Sequence, residues 1–255
     1  MEFLDRTLKD GSRLVYAWFE AMHTRMDIVI WDGTLSESEI HAFCRRVYDE
    51  TVRIEEMASC FLPGSEITIL NSVCAGESVP LTEELYGILA RCMEYNRSTD
   101  RLFDVAASED TAGIGLDEKL LLDESDHSAV RLDSRVRLNL SGYLKGYALD
   151  RATDILRSEG IVNALVSFGS SSVCAIGDHP GGKGWPVATS SGDEYVLVNE
   201  CLTTSGNDSK DRRHIINPVT GKYVEGKSMV SVCTSTAEEG EVMATVSFLK
   251  HDMNN

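Results

Sequence analysis

The chain is poor in basic residues. Its 255 residues include 24 lysines and arginines against 41 aspartates and glutamates, which gives a formal net charge of −17 at pH 7. A protein that binds nucleic acid neutralises phosphates with a basic face, so this balance argues against nucleic acid as a partner and against an anionic membrane surface. Any site for an anionic ligand must be locally positive. The candidates are Lys145, Arg212, Arg213 and His214, together with a bound cation.

Long hydrophobic runs and an export signal are also missing. No apolar run approaches the roughly 20 residues that a membrane-spanning helix needs. The first residues, Met-Glu-Phe-Leu-Asp-Arg, lack a basic start followed by an apolar stretch and lack a small-residue cleavage site. We therefore expect no membrane span and a cytoplasmic location for the chain as given. A trimmed chain is the alternative.

Cysteine pairs at metal-binding spacing are absent. The chain has seven cysteines and no CxxC or CxxH pattern. Cys44 and Cys92 fall on apolar positions of helical period. The odd count and the apolar placement predict free thiols that act as small buried hydrophobes in a reducing compartment.

The hydrophobic pattern predicts an α+β fold. Residues 14–31 are rich in β-branched and aromatic side chains around a polar break, which predicts a hairpin. Ser36 and Glu39 form a capping-box pattern before a helix that extends to about residue 57, and Thr82 precedes a second helix. From residue 162 onward short strands alternate with turns, and Thr236 precedes a final helix. Strand runs with segregated helices indicate mixed or antiparallel sheets.

The segment from Asn139 to Asp150 carries the first chemical signal. Gly142, Gly146 and Lys145 stand at the start of a predicted helix that ends near Gly160. Free backbone N–H groups at a helix start attract anions, and a lysine adds a positive charge. Because the segment matches no phosphate-loop or dinucleotide pattern, an ordinary turn with Lys145 on a solvated face is the favoured interpretation of this segment taken alone.

Other short segments accompany this one in a fixed order. They are Ala21–Thr24, Ser65–Ile67 with Asn71, Phe103–Asp104, Leu165–Ser170, Leu202–Gly206, His214–Gly221 and Ser231–Thr245. In this order and spacing the series resembles the ApbE family, the FAD:protein FMN transferases, from about residue 14 to the end. The resemblance implies an α+β fold with mixed or antiparallel sheets, flanking helices and a cofactor cleft. It also implies one unit, 1–255, with a lobe trimmed around residues 105–135.

The resemblance implies an enzyme that uses Mg²⁺ to move FMN from FAD to a serine or threonine hydroxyl of a target flavoprotein. The implied FAD contacts are Met22, Ser65, Glu66, Asn71, Asp104, Lys145, Asp150, Gly169, Thr204, Ser205 and His214. His214 and Lys145 are the implied catalytic residues. Glu241, Thr245 and the backbone carbonyl of Gly142 are the implied metal ligands.

Several residues depart from the family's pattern. Glu241 and Asn217 stand where the family has aspartate, and Ser170 stands where it has a second glycine. The extra methylene of Glu241 moves its carboxylate by roughly 1.5 Å, and Mg²⁺ accepts oxygens only at about 2.0–2.1 Å in near-octahedral geometry. The sequence therefore predicts that Glu241→Asp tightens Mg²⁺ binding.

Alternatives remain open at this point. A catalytically degenerate flavin-binding protein is the second hypothesis, and a soluble domain without flavin is the third. At the residue level, Glu241 is equally compatible with a solvated acidic helix start. Lys145 and Asp150 are compatible with an exposed helix pair, and Thr204, Ser205 and Gly206 are expected on a turn.

Overall fold

The computed structural model describes residues 1–209 and 213–253. Within these residues the helices and strands bear out the predicted α+β class. The strands are β1 (Glu2–Thr7), β2 (Arg13–Ala21), β3 (Thr24–Asp32), β4 (Ser78–Pro80), β5 (Leu120–Asp123), β6 (Ser128–Arg131), β7 (Ala164–Phe168), β8 (Ser172–Ile176), β9 (Trp185–Ala188), β10 (Glu194–Leu197), β11 (Cys201–Asn207) and β12 (Ser228–Thr234). The helices are α1 (Glu37–Ala58), α2 (Glu66–Ser72), α3 (Glu83–Ser98), α4 (Leu116–Lys119), α5 (Leu144–Ser158) and α6 (Ala237–Met253), with a short 3₁₀ turn at Glu109–Thr111.

The chain divides into two compact units. The first unit consists of residues 1–55, 143–205 and 231–244, and the second consists of residues 56–142, 206–230 and 245–255. No helix of the described part of the chain has the length and apolar character that a membrane crossing requires.

A seven-stranded sheet in the order β1-β2-β3-β7-β8-β11-β12 dominates the first unit. In this sheet, each pair of neighbouring strands among β1, β2, β3, β7, β8 and β11 is antiparallel. The predicted hairpin is confirmed as β2 and β3, with Ala21 opposite Thr24. Its two-residue turn consists of Met22 and His23, whose φ angles of 49° and 58° are both left-handed. A two-residue turn between twisted strands favours such angles, because they match the right-handed twist of the strands.

Helix α1 covers one face of this hairpin. Its start is the predicted capping box, because the Ser36 N–H donates to the Glu39 carboxylate and the Glu39 N–H donates to Ser36 Oγ. The Tyr48 ring packs edge-on against Phe19 of β2, with 5.1 Å between ring centroids. Helix α5 packs on β7 and β8 of the same sheet. The helix predicted to extend to about residue 57 and the helix predicted to end near Gly160 are therefore confirmed as α1 and α5.

The second unit contains a three-stranded sheet in the order β4-β6-β5. Arg131 of β6 is 2 % exposed, and its guanidinium donates to the backbone carbonyls of Leu70, Val73 and Val136. Thr82 caps α3 as predicted, because its hydroxyl accepts from the Leu85 N–H at 3.3 Å. The acidic stretch after Asp104, which shows little periodicity in the sequence, forms the 3₁₀ turn, α4, β5 and β6.

The prediction that all seven cysteines are free is wrong. Cys174 of β8 and Cys201 of β11 form a disulfide, and they are direct cross-strand partners. The remaining five are free, and Cys44 and Cys92 are buried as expected. Twenty-seven residues separate the bonded pair along the chain. Only the strand pairing brings them within bonding range, so spacing in the sequence gives no sign of the bond.

Candidate functional site

Two consecutive serines of the first unit each form a hydrogen bond with an ionisable side chain. Ser171 Oγ accepts a hydrogen bond from Lys145 Nζ at 3.0 Å, and Ser172 Oγ donates to Glu241 Oε1 at 2.7 Å. The two hydroxyl oxygens lie 3.4 Å apart. A cation from the first turn of α5 and a carboxylate from α6 are thereby joined through the start of β8.

Glu241 is buried, and the alternative of a solvated acidic helix start is wrong. Only 6 % of the residue is exposed. Burial raises the pKa of its carboxyl above the ordinary value, while the charge of Lys145 and the Ser172 hydrogen bond act in the opposite direction. Among the described residues, Ser172 is the only hydrogen-bond partner of this carboxylate. The site therefore holds a desolvated carboxyl group with one neutral donor among the described residues.

Glycine allows α5 and α6 to approach each other closely beside Glu241. A Cβ atom at Gly146 would lie 2.5 Å from the Ala237 carbonyl oxygen and 2.7 Å from Cγ of Glu241. A Cβ at Gly240 of α6 would lie 2.4 Å from Thr203 Oγ1 of β11. Gly146 therefore permits close contact between two helices, and Gly240 permits close contact between α6 and β11.

Asp150 forms the cap of α6. Its two carboxylate oxygens accept hydrogen bonds from the N–H groups of Ala237 and Glu238 at 2.7 and 2.8 Å. Burial raises the pKa of Asp150 to about 6, although the two backbone N–H donors favour the charged form. This capping role replaces the exposed helix pair, and the assignment of Asp150 to a contact with FAD stays a prediction.

The raised pKa of Asp150 predicts a pH effect on stability. The native state holds this proton to a higher pH than the unfolded chain, whose ordinary value is 3.8. The contribution of Asp150 to the free energy of unfolding is therefore fully present below about pH 4 and is lost as the pH rises toward about 6. Between pH 4 and 6, the free energy of unfolding measured in urea should fall less steeply with pH in Asp150→Asn than in the wild type. Glu241 contributes a pH dependence of the same sign. Asp49→Asn is the control, because Asp49 is an exposed carboxylate on α1 of the same unit. An unchanged slope in Asp150→Asn would contradict the assignment.

Other predicted FAD contacts of the first unit lie at strand ends. Gly169, which follows β7, has a left-handed φ of 63° and donates its N–H to the Arg25 carbonyl beside the hairpin turn that contains Met22. Thr204 N–H donates to the Ser171 carbonyl at 2.7 Å. The expected turn at Thr204, Ser205 and Gly206 is wrong, because all three belong to β11. These three residues extend β11 beyond Thr203, its last residue paired with β8, and β12 is the neighbouring strand on its other side.

Two predicted FAD contacts of the second unit stabilise the first turns of helices through hydrogen bonds. The Ser65 hydroxyl donates to the Ser59 carbonyl and accepts from Thr68 N–H, so that it caps α2. The Glu66 carboxylate accepts from the N–H and the hydroxyl of Thr82, at 2.7 and 3.0 Å. Ser65 is 2 % exposed, and its polar atoms are engaged within the fold.

Asn71 and Asp104 likewise make internal contacts. The Asn71 amide donates to the Leu138 carbonyl and accepts from the Leu138 N–H, both at 2.8 Å. Asp104 pairs with Lys119 Nζ at 2.6 Å, and the side chains are 0 % and 1 % exposed respectively. A carboxylate with no exposed surface cannot contact a ligand directly, so the expected FAD contact of the Asp104 side chain is corrected to a buried ion pair.

The remaining predicted residues of the second unit are Gly142, His214 and Thr245. His214 is exposed and precedes a tight turn, in which Asn217 Oδ1 accepts from Val219 N–H and Gly221 N–H donates to the Asn217 carbonyl. Gly142 is exposed, and Thr245 lies one helical turn after Glu241 on α6. Arg213 forms an exposed pair with Glu225, and Arg212 lies outside the described residues.

Sequence reasoning missed Ser171, Ser172 and Lys119. The two serines stand in a serine-rich stretch that resembles any polar turn, and their role appears only when β8 meets α5 and α6. Lys119 stands in the acidic stretch 105–130, where a lone lysine suggests a solvated surface. No spacing in the sequence connects these residues with their partners.

Comparison with known proteins identifies relatives along nearly the whole chain. An FAD:protein FMN transferase of Chlamydia muridarum is 26% identical over 250 residues, which cover 85% of this chain and 78% of that protein. One from Rhodobacter capsulatus is 36% identical over 124 residues, which cover 43% of this chain and 23% of that protein.

Solved structures share the fold. The ApbE protein of Thermotoga maritima superposes with a TM-score of 0.81 at 21% identity, covering 94% of this chain and 87% of that chain. The flavin transferase ApbE of Vibrio cholerae gives a TM-score of 0.78 at 18% identity, covering 92% and 86%. The model of the ApbE family matches residues 22–253, which shows that this chain belongs to the ApbE family.

Proposed function

We propose that this chain is a Mg²⁺-dependent FAD:protein FMN transferase. The observation that carries the proposal is the family match across residues 22–253. The substrates are FAD and a target flavoprotein with an acceptor serine or threonine. The acceptor oxygen forms a bond to the FMN phosphorus of FAD, the bond from that phosphorus to the AMP oxygen breaks, and the hydroxyl proton leaves with AMP or to a base.

Each unit contributes residues to this proposal. In the first unit we assign FAD contacts to Met22, Lys145, Gly169, Thr204 and Ser205. In the second we assign His214 to FAD and to the proton of the incoming hydroxyl. Ser65, Glu66, Asn71 and Asp150 make the internal contacts described above, and we keep their assignment to the FAD site as part of this proposal. The Asp104 side chain pairs with Lys119 instead.

Charge neutralisation is the main requirement of phosphoryl transfer, since the transition state carries charge on the phosphoryl oxygens. Helix α5 suits an anion at its start, because its first turn contains no acidic residue and the Tyr143 side chain makes no capping hydrogen bond. Lys145 adds a positive charge in the same turn. We therefore assign the diphosphate of FAD to the start of α5.

The oxygen donors proposed for Mg²⁺ suit that ion. Glu241 offers a buried carboxylate with one neutral hydrogen-bond partner among the described residues, and Thr245 and the Gly142 carbonyl offer further oxygens. Hard oxygen ligands of this kind are those that Mg²⁺ prefers. When bound, Mg²⁺ would neutralise part of the charge of the diphosphate.

Two coarser expectations remain proposals. We propose that residues 1–255 act as one functional unit with a trimmed lobe around 105–135. We also retain the cytoplasmic location as a prediction, and the Cys174–Cys201 disulfide is the observation against it, because structural disulfides persist mainly in oxidising compartments. The redox state of this pair in the cell of origin would decide between the two.

The test of the function is AMP release. Purified protein is incubated with FAD, Mg²⁺ and a peptide that carries an acceptor threonine, and both AMP and flavin-labelled peptide are measured. The proposal predicts both products in equal amounts. FAD binding without AMP would identify the flavin-binding alternative, and no FAD binding would refute both.

Lys145→Ala should weaken FAD binding by about 1–3 kcal/mol, the range for a charge-assisted contact. Calorimetry with FAD gives the affinity. Lys183→Ala is the matched control, because Lys183 is an exposed lysine of the same unit. Equal affinity in the two variants would remove Lys145 from the FAD site.

A further inference from the structure

Lys145 and Glu241 are close enough to interact, yet they do not form a direct ion pair. The charge of Lys145 lowers the pKa of Glu241. No nitrogen–oxygen contact within 4.0 Å joins the two side chains in the described part of the chain. Each instead bonds to its own serine, Lys145 to Ser171 and Glu241 to Ser172.

Opposite charges in a partly desolvated site ordinarily attract each other into contact, since their interaction strengthens as water is excluded. The two side chains also have enough rotatable bonds to meet. The intervening serine hydroxyls replace that contact with a chain of three links of 3.0, 3.4 and 2.7 Å. An interaction with a neutral hydroxyl is weaker than a direct contact between charges, so this arrangement gives up stability.

The surrounding packing fixes the position of this series of hydrogen bonds. Ser172 is 3 % exposed and is the cross-strand partner of Thr203, against which Gly240 of α6 packs. The Ser171 carbonyl accepts from Thr204 N–H at 2.7 Å. Both serine backbones are therefore anchored to β11, Ser171 in the turn before β8 and Ser172 as the first residue of β8.

We propose that Ser171 and Ser172 are a positioning pair that holds Lys145 and Glu241 apart, so that the cation stays available to an anionic ligand and the carboxylate to a divalent cation. The naming of FAD and Mg²⁺ as those ligands rests on the proposed function, whereas the separation of the charges does not. Such a pair exchanges stability for binding, as functional sites commonly do.

The test uses Ser171→Ala, Ser172→Ala and the double variant. Without the hydroxyls, Lys145 and Glu241 should form a direct ion pair. Calorimetry should show affinities for FAD and for Mg²⁺ that fall by roughly 10–100-fold, the range for losing a partner that orients a ligand. Ser170→Ala removes the exposed neighbouring hydroxyl and should change neither affinity. Ser172→Thr, which retains a hydroxyl, should restore most of the Mg²⁺ affinity lost in Ser172→Ala.

A double-mutant cycle measures the separation without any ligand. Lys145→Met, Glu241→Gln and their combination are made both in the wild type and in Ser171→Ala/Ser172→Ala, and the unfolding equilibrium constant is measured in urea. The coupling between the two positions should be several-fold larger in the background without the serines. Equal coupling in both backgrounds would overturn the proposal, as would unchanged affinities in the double serine variant.

Failure of this inference and failure of the proposed function are distinguishable. If the wild type binds neither FAD nor Mg²⁺, the proposed function fails, and the cycle still decides whether the serines separate the charges. If the double variant does not fold, the two single variants provide the same comparison one link at a time. If the coupling between positions 145 and 241 is larger in either single serine variant than in the wild type, the proposal is supported. If it is unchanged in both single variants, the proposal is contradicted.

Discussion

Glu241→Gln should abolish AMP release from FAD while leaving the protein folded. Glutamine has nearly the volume of glutamate and retains an oxygen that accepts from Ser172, but it carries no charge for a cation. Mg²⁺ affinity should fall by at least the roughly 10–100-fold that losing a partner of a metal ligand costs. Calorimetry with Mg²⁺ and the AMP assay are the measurements.

The stability of Glu241→Gln should equal or exceed that of the wild type. Burial of the carboxyl raises the pKa of Glu241, which means that the fold disfavours its charged form. Removing the charge removes that cost, and urea unfolding at pH 7 gives the comparison. A large loss of stability would mean that the carboxylate supports the fold and not a ligand. Glu238→Gln, in the first turn of the same helix, is the control.

Glu241→Asp separates the structural view from the sequence-based one. From the sequence alone, the shorter side chain is expected to restore the ligand geometry of the family and to tighten Mg²⁺ binding. In the structure, Glu241 reaches Ser172 at 2.7 Å, and a side chain shorter by roughly 1.5 Å would lose this contact. We therefore now expect Glu241→Asp to bind Mg²⁺ more weakly than the wild type. Tighter binding would favour the view from the sequence.

Glu241→Ala is a poorer test than it appears from the sequence. A position at the start of a helix, outside the apolar stripe, suggests that truncation leaves the fold intact. The residue is buried, so alanine would leave a cavity beside Gly146 and an unpaired Ser172 hydroxyl. Loss of activity in this variant would combine the loss of a ligand with local collapse.

Lys119→Met should be the most destabilising single change considered for the second unit. The Lys119–Asp104 pair has side chains that are 1 % and 0 % exposed, 2.6 Å apart, and Lys119 Nζ also donates to the Ala106 carbonyl. Removing one partner of a buried ion pair leaves an uncompensated charge and costs about 3–5 kcal/mol. Urea unfolding at pH 7 measures the loss.

A double variant tests the cause of that loss. Asp104→Asn combined with Lys119→Met removes both charges and should recover much of the stability, because no isolated charge remains in the core. Arg101→Met is the matched control, since it breaks an exposed pair with Glu118 at 3.1 Å and should cost at most about 1 kcal/mol. If Lys119→Met costs no more than this control, the buried pair is not a stabilising element.

Much of the fold can be predicted from patterns between residues that are close in the sequence. The capping box at Ser36 and the cap at Thr82 predict the starts of α1 and α3, and β-branched and aromatic residues around a polar break predict β2 and β3. These signals act between residues near in sequence, where hydrogen bonds and side-chain period depend on local geometry. The turn expected at Thr204–Gly206 is wrong because these residues belong to β11, which lies between β8 and β12 in the sheet, and this tertiary context outweighed local turn propensity.

The candidate site is less readable. Lys145 and Glu241 are recognised from the order of motifs, but Ser171 and Ser172 are not. Asp104, Asn71 and Asp150 are recognised as significant, yet their partners are internal groups that lie far away in the sequence. A polar side chain looks the same in sequence whether it contacts a ligand or satisfies a buried backbone group.

The sequence by itself determined the α+β class, the helix starts and the membership of the ApbE family. Each depends on composition, on local periodicity or on the order of motifs. The tertiary structure alone decided that Glu241 is buried against Ser172, that Asp150 caps α6, that Asp104 neutralises Lys119 and that Cys174 bonds to Cys201. These contacts join residues 15 to 87 positions apart, and their energies depend on burial, which appears only when the strands and helices pack.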